Sequence, residues 1–581
     1  MHEHMAEMAT DKFFVAAALR EIGTRLQLEG TNPFRAKAYD RAADSVEAST
    51  NLEVLVAEER LTELAGIGEG TARIISELVR AGQSKMLEEL RKKIPAGVVE
   101  LSQLPGVGLK RAILLHEALG VESVVDLERA CAEGKVKGVR GLGAKTEKAI
   151  LRGIQDYKGR ATKILLLEGM ELAHQIVHHL EGVSGAEKVE VAGAVRRFEE
   201  TLSEVSVVAT TKDPQRLLAA FEKFPLVARV EMSGPRDMTV RLSTGVKASV
   251  HTASVSERPL ALAAFTGSSA HIKKLRAIAA RRGLSLDDRA LEEDGRALAV
   301  SSEEDLYAHL GLSYVPPELR EDVGELEEAG FQGQSGKPFD LLELPDVQGL
   351  VHCHTVFSDG KDTVEAMARK AEALGMKYMT ITDHSPAAHY AGGVTLDRLK
   401  EQWDEIARVQ ELVPGVRLLR GTESDILADG SLDYPDAILE KMDVVIASVH
   451  SRMKMDEEAM TARITRAMRQ PVFKIWGHAL GRLLLRREPF ACRVEHVLDA
   501  IAESRAAIEV NGDPYRLDME PRWIREARKR GIPFVVSVDA HSTRALENVS
   551  FGVGIARRGG LTKREVLNAR SAAAFAKAVR P

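Results

Sequence analysis

The feature that most constrains this chain lies in its second half, where seven short apolar segments alternate with helical ones: GLVHCH, KYMTITDH, RLLRGTE, DVVIASVH, VFKIWGH, AAIEVNG and PFVVSVDAH. Such alternation predicts parallel strands with helices outside, and seven units nearly close a barrel. The polar residues fall at the C-terminal ends of these strands, where a barrel of this kind gathers its active site.

Six of the 17 histidines sit at those ends, His352, His354, His384, His450, His478 and His541, and three carboxylates join them, Asp359, Glu423 and Asp539. One histidine at a strand end is ordinarily structural. Six beside three acids would be costly to bury uncompensated, and metal ions relieve that cost. On an extended strand the two histidines of HCH point to one face, and DAH repeats the geometry at the last strand. Nine nitrogen and oxygen ligands exceed one open tetrahedral or octahedral centre, so two or three ions bridged by a carboxylate are expected, with Mn²⁺ or Zn²⁺ the candidates. Clustered ions suit phosphoester hydrolysis because they bind phosphate oxygens, acidify a bound water and stabilise the leaving oxygen.

The motifs VHCHTVFSDG, TITDHS, GTESDIL, ASVHS, GHALGRLL and SVDAHS, which run from about Gly349 onward, resemble the PHP (polymerase and histidinol phosphatase) domain, a distorted seven-stranded (βα) barrel. The resemblance implies one metal on His352, His354, Glu423 and Asp539, which would form the catalytic core. It implies a second that shares Glu423 and adds His450 and His478, and a third on Asp359, His384 and His541. The chain departs from the family just before the first histidines, where Leu350-Val351 replaces an acidic residue. Arg482, Arg486, Arg487, Arg557 and Arg558 are candidates for phosphate contacts.

Up to about residue 155 the sequence reads as short helices broken by glycine turns, with apolar residues at helical spacing in FFVAAALREIGTRLQ and ARIISELVRA. Three segments share a glycine-apolar-glycine turn before a helix: LAGIGEGTA, LPGVGLKRA and VRGLGAKTE. Such turns, here Gly66 and Gly68, Gly106 and Gly108, and Gly141 and Gly143, let backbone N–H groups approach a phosphate closely. They resemble helix-hairpin-helix DNA-binding motifs, with Lys110, Arg111 and Lys145 as charged helpers. NPFRAKAYDRAA, which places Arg35, Lys37 and Arg41 on one helical stretch, looks like the end-binding small domain of family X DNA polymerases.

From about Ala161 to Val300, helices mix with alternating strands such as KVEVAG and MTVRLS, an α+β pattern. VAGAVRRFEETLSEVSVVAT resembles the nucleotidyltransferase palm of family X polymerases, FTGSSAHIKKLR the thumb, and GLSYVPPELRE the exit from it. The resemblance thus covers nearly the whole chain and has the layout of the bacterial members. It implies nucleotidyl transfer by Mg²⁺ ions on three carboxylates, but those positions hold Glu204, Ser206 and Ser249. A serine hydroxyl is a weak neutral ligand, so no Mg²⁺ is expected at the palm. Gly193-Ala194 replaces the family's phosphate-binding Gly-Ser, and Ala264-Phe265 its aromatic pair. The lyase lysine would align near Ile74 beside Arg73, and arginine cannot form a Schiff base.

The length of 581 residues predicts several domains. Those expected are a small helical DNA-end-binding domain with the first helix-hairpin-helix (1–95), a second helix-hairpin-helix region (96–160), a degenerate palm (161–252), a thumb (253–318), a linker (319–345) and the PHP domain (346–581). The stretch from Tyr314 to Pro345, with its acidic run and FQGQSGKP, reads as a solvated tether. A net charge of −6 excludes a chain that coats nucleic acid along its length, so DNA contact must be patchy. Cys131, Cys353 and Cys492 form neither a disulfide framework nor a thiolate zinc cluster, and no leader or membrane span is read. His2 and His4 read as a frayed polar terminus. The expectation is a cytoplasmic monomer that acts on gapped, nicked or 3′-ended DNA without sequence preference, as a metal-dependent 3′-5′ exonuclease or 3′-phosphoesterase. The alternatives are an active gap-filling polymerase and a DNA-end-binding scaffold.

Overall fold

The computed structural model describes residues 12–30, 33–49, 52–64, 66–102, 104–159, 162–330 and 338–581. They fall into two compact units, Met1–Leu310 and Gly311–Pro581. His2, His4 and most of FQGQSGKP lie outside the described residues. Among the described residues no helix is long and apolar enough to cross a membrane.

The first unit begins all-helical. Lys12–Leu28 packs on Pro33–Ala48 because Val15, Leu19, Ile22, Ala36, Ala43 and Val46 recur at helical spacing and meet in one core. A second core gathers Val98, Leu101, Leu115, Leu127, Ile150 and Ile154. Behind these helices stands a five-stranded sheet of β1 (Ala186–Ala192), β2 (Glu204–Thr211), β3 (Val227–Ser233), β4 (Asp237–Leu242) and β5 (Lys247–Ala253), in the order β1-β2-β5-β4-β3. Only the β2/β5 pair is parallel, and its register sets Ser206 opposite Ser249.

The second unit carries seven parallel strands in sequential order: β6 (Gly349–Leu350), β7 (Tyr378–Ile381), β8 (Arg417–Asp425), β9 (Val444–Ser448), β10 (Lys474–Trp476), β11 (Ala506–Asn511) and β12 (Phe534–Ser537). A parallel bridge between Cys353 and Ala540 joins the first segment to the last. Strands covered on both faces are mostly apolar, and every residue of β9 and β11 is buried, including the polar Ser448, Glu509 and Asn511. The helix Ala572–Val579 packs Phe575 and Val579 into the barrel core, with Phe575 stacked 5.0 Å from Tyr378.

The described part of the stretch read as a solvated tether is folded, which corrects that expectation. Leu319, Leu326 and Ala329 are buried, Arg320 is fully buried and donates to the Val315 carbonyl, and Glu318 and Glu325 are buried with it. Arg557 pairs with Glu318 at 2.7 Å and Arg558 with Glu321 at 3.1 Å. The acidic run is therefore neutralised against the barrel's own helix Val549–Arg558. Arg557 and Arg558, read as phosphate contacts, are committed to this packing.

Candidate metal centre

The barrel brings all nine sequence-selected residues to one end. The pleat argument for HCH and DAH does not describe how: these residues lie outside the regular strands, and His352 (φ 68), His478 (φ 24) and Asp539 (φ 47) hold left-handed backbone. Each such residue costs about 1–3 kcal/mol, and strain of this kind persists where surrounding structure enforces it. Here the enforcement is visible, because His354 N–H donates to the Ala540 carbonyl and Ala540 N–H to the His352 carbonyl, at 2.8 and 2.9 Å.

Glu423 is the hub. Its Oε1 lies 2.8 Å from His478 Nε2 and 3.2 Å from His450 Nε2, and its Oε2 lies 3.0 Å from His384 Nδ1, 3.3 Å from His352 Nε2 and 3.5 Å from His354 Nε2. Asp539 Oδ1 stands 3.5 Å from both His352 Nε2 and His354 Nε2. Asp359 Oδ1 faces His541 Nε2 at 3.3 Å and His384 Nε2 at 3.6 Å. His384 thus reaches towards both Glu423 and Asp359, and His354 groups with Asp359, His384 and His541 as well as with Asp539.

Burial alone would pull the His352 imidazole down, but Glu509, Glu423 and Asp539 override it and hold it well above its ordinary value. Burial would likewise raise Glu423, yet His450, His352, His384 and His478 keep it well below the carboxylate range. Burial pushes His354 down to about 3. Both Glu423 oxygens, His352 Nε2, both His354 nitrogens and His384 Nδ1 are buried without a hydrogen-bond partner. Buried polar atoms of native proteins are nearly always satisfied. A set of imidazole and carboxylate atoms that face one another unsatisfied fits cations between them.

Sequence reasoning missed the residues that hold these ligands. Glu509 Oε1 lies 2.5 Å from His352 Nδ1, and Glu509 Oε2 accepts from the His478 N–H and from Asn511 Nδ2. Asp425 sits 3.3 Å from His450 Nδ1. Asp383 accepts from Thr355 N–H, Thr355 Oγ1, Ser358 Oγ and Gln402 Nε2, and so fixes the loop that carries Asp359. The signal for Glu509 was present, as a charge inside an otherwise apolar strand. Arg516, also missed, places Nε 3.1 Å from Asp539 Oδ2. Of the other arginines proposed for phosphate, Arg482 is buried and donates to the carbonyls of Arg516 and Leu517, Arg487 Nε donates to the Gly481 carbonyl, and Arg486 lies over the Tyr515 ring.

Comparison with known proteins agrees with this architecture. The PHP domain family matches residues 351–513, the DNA polymerase beta thumb 261–321, a helix-hairpin-helix domain 12–84 and a SAM-like helix-hairpin-helix tandem 98–156. A Bacillus subtilis protein named DNA polymerase/3′-5′ exonuclease PolX is 34% identical over 95% of this chain and 96% of its own length. The chain belongs to the bacterial PolX family. Shorter relatives match the barrel alone: a probable phosphatase of Thermoanaerobacter sp. is 29% identical over 37% of this chain and 88% of its own, and one of Caldanaerobacter subterraneus 30% over 33% and 74%.

In this PolX chain the palm brings Glu204, Ser206 and Ser249 together as well. Ser249 Oγ donates to Glu204 Oε1 and lies 2.8 Å from Thr239 Oγ1. Gly193 approaches so closely that a Cβ there would stand 3.1 Å from the Ser206 Cβ, and Phe265 stacks on His251 at 3.6 Å. The glycine turns lead into the helices Glu69–Ala81, Gly108–Leu119 and Ala144–Gly159. Gly66, Gly106, Gly108 and Gly141 have φ between 62 and 90, which only glycine adopts freely. Gly68 and Gly143 have no such need, and a Cβ on either would meet nothing within 4 Å. Lys110, Lys145, Arg35 and Lys37 are exposed, whereas Arg111 Nη1 donates back to the Gly106 carbonyl at 2.6 Å and braces its own turn.

Proposed function

We propose that this PolX chain is a metal-dependent DNA 3′-end phosphoesterase, a 3′-5′ exonuclease or 3′-phosphatase, whose palm no longer transfers nucleotides. The observation that carries the reading is the contrast between two carboxylates. Five imidazoles stand within 3.5 Å of Glu423, whereas Glu204 is the one acid left among three palm positions and is engaged by a serine hydroxyl. The relatives, a DNA polymerase/3′-5′ exonuclease over the full length and a probable phosphatase over the barrel, support phosphoester chemistry in the barrel.

His352, His354, Glu423 and Asp539 would hold one ion, Glu423, His450 and His478 a second, and Asp359, His384 and His541 a third, with Mn²⁺ or Zn²⁺ suited to these donors. Bound there, such ions supply charge for the phosphate oxygens and acidify water. With an ion bound, Glu509 would keep the remaining proton of His352 on Nδ1, and Asp425 that of His450, so that each Nε2 could face the ion. Arg516 adds a fixed positive charge beside Asp539. The helical regions 1–95 and 96–160 grip gapped, nicked or 3′-ended DNA by its phosphates without reading sequence. Residues 161–252 act as a degenerate palm, 253–318 as a thumb and 346–581 as the PHP enzyme, in a monomeric cytoplasmic repair protein.

The test is an end-labelled primer-template incubated with Mn²⁺, with and without dNTPs. Shortening in both is expected. Template-directed extension would restore the polymerase reading, and an inert protein with full metal content would favour a scaffold.

A further inference from the structure

One feature beside the metal centre is unexplained by metal binding. Tyr390 is 71% exposed, yet its ring stands 6.1 Å from His384 and 6.2 Å from His450, which group with Glu423 as one set of potential ligands. It does not owe this position to a loose loop. Val394 N–H donates to the His384 carbonyl at 2.8 Å, Ala387 N–H to Asp433 Oδ2 at 2.7 Å, and the Tyr434 hydroxyl to the Val394 carbonyl. Ala388, Ala391 and Val394 are buried, so the turn faces inward with its small residues and presents the tyrosine outward. Partial burial and the nearby charges of Glu423, Asp425 and Asp359 raise the Tyr390 phenol, and Arg516 opposes them.

Arg516 has the complementary property. Its Nε and Nη1 are buried without a hydrogen-bond partner, although Asp539 and Asp513 lie at 3.1 and 3.9 Å. The Arg516 carbonyl is held by Arg482 Nε at 2.9 Å, so the guanidinium is carried on a braced segment. A guanidinium held beside Asp539 and Asp513 at a phosphoesterase centre supplies a positive charge for a phosphate oxygen, and an exposed ring suits the face of a base.

We propose that Tyr390 and Arg516 frame a subsite for the terminal nucleotide of a single strand, in which Tyr390 stacks on the base and Arg516 contacts a phosphate. The proposal rests on the phosphoesterase reading above and narrows it to polynucleotide ends, since an ester without a planar base gains nothing from the ring. Stacking needs the aromatic face and not the hydroxyl. Tyr390→Phe should therefore behave as the parent chain, whereas Tyr390→Ala should not.

The experiment uses the full chain loaded with Mn²⁺ and compares a 3′-labelled oligonucleotide with glycerophosphoethanolamine, a small phosphodiester that has no ring to stack. Tyr390→Ala should lower the ratio of the two kcat/KM values about tenfold, mainly through KM for the oligonucleotide, and Tyr390→Phe should restore it. A 3′-terminal 2-aminopurine, bound with Ca²⁺ in place of Mn²⁺, should be quenched by the parent chain and not by Tyr390→Ala. Inhibition by a nucleoside 5′-monophosphate should weaken in Tyr390→Ala while inhibition by inorganic phosphate holds, and Arg516→Gln should weaken both. Unchanged ratio, quenching and nucleotide inhibition in Tyr390→Ala would overturn the subsite. If the parent chain cleaves the small ester but no DNA, the 3′-end reading fails, and the two inhibition series still decide the subsite.

Discussion

The barrel and the palm each gather acids and hydroxyls at the ends of neighbouring strands, but they resolve the cost of burying them in opposite ways. In the barrel both oxygens of Glu423 are buried without a hydrogen-bond donor and are surrounded by imidazoles. In the palm Ser249 donates to Glu204 and shares a hydrogen bond with Thr239. Among the described residues, no side-chain oxygen of Glu204, Ser206 or Ser249 is both buried and unpaired. Atoms left unsatisfied within the protein suit cations, whereas atoms satisfied from within the protein do not call for them.

The sharpest way to break this comparison is to remove one carboxylate from each site. Glu423→Ala should lower bound metal per chain and reduce Mn²⁺-dependent digestion of a 3′-labelled strand by about a thousandfold or more, because a carboxylate shared by two ions sets their spacing and offsets their repulsion. Glu204→Ala should change neither. Full metal content and parental digestion in Glu423→Ala would dismantle the ligand assignment, and a template-dependent activity lost in Glu204→Ala would show that the palm still works.

The second prediction concerns Glu509, which touches two of the imidazole-bearing residues. Glu509→Gln should weaken metal affinity or turnover about 10- to 100-fold, since it removes the charge that fixes the His352 tautomer and the His478 backbone. Metal titration separates this from a folding defect: a folded Glu509→Gln with parental affinity and rate would leave the residue with packing alone.

Glu509 also marks where sequence reading stopped. The seven strands and the gathering of the nine residues at one end were legible because histidine and carboxylate at apolar strand ends are chemically conspicuous. How HCH and DAH aim their side chains was not legible, because left-handed backbone at His352 and Asp539 is enforced by cross-segment hydrogen bonds and not by the residue types. The same blindness to distant partners misassigned Arg557 and Arg558. Their acids, Glu318 and Glu321, lie more than 200 positions away in a stretch whose composition suggested solvent. Arg516 carries no local signal comparable to the arginines of GRLLLRREP, because its place depends on reaching Asp539 in space.

A gentler test exploits protons. Without metal, burial would lower His450 and His541, but Glu423 and hydrogen-bonded Asp425 hold the first up at about 10, and Asp359 and Asp539 hold the second up at about 9. His352 is also raised well above its ordinary value. These shifts favour the protonated imidazoles while no metal is bound, and a ligating nitrogen must be free of its proton. Metal entry should therefore release protons near pH 7, and affinity should climb as pH rises. Calorimetry in buffers of different ionisation enthalpy counts them. No release would mean that these imidazoles are already neutral or do not ligate.

The smallest effects are expected at the glycine turns, to which the proposed function gives the positioning of DNA and no chemistry. Lys110→Ala and Lys145→Ala should each weaken DNA binding a few-fold irrespective of sequence and reduce the salt slope of log affinity by about one. Gly143→Ala isolates the backbone contribution. Its φ is not left-handed and a methyl there meets nothing within 4 Å, so the added group costs the fold only the preference of a helix start for glycine over alanine. If a phosphate comes close to the N–H groups at the start of Ala144–Gly159, the methyl obstructs it, and affinity should fall a few-fold with the salt slope unchanged, because no counterion is released by a neutral group. Parental affinity in Gly143→Ala, beside a reduced slope in Lys145→Ala, would leave the lysine as the contact and remove the backbone from it.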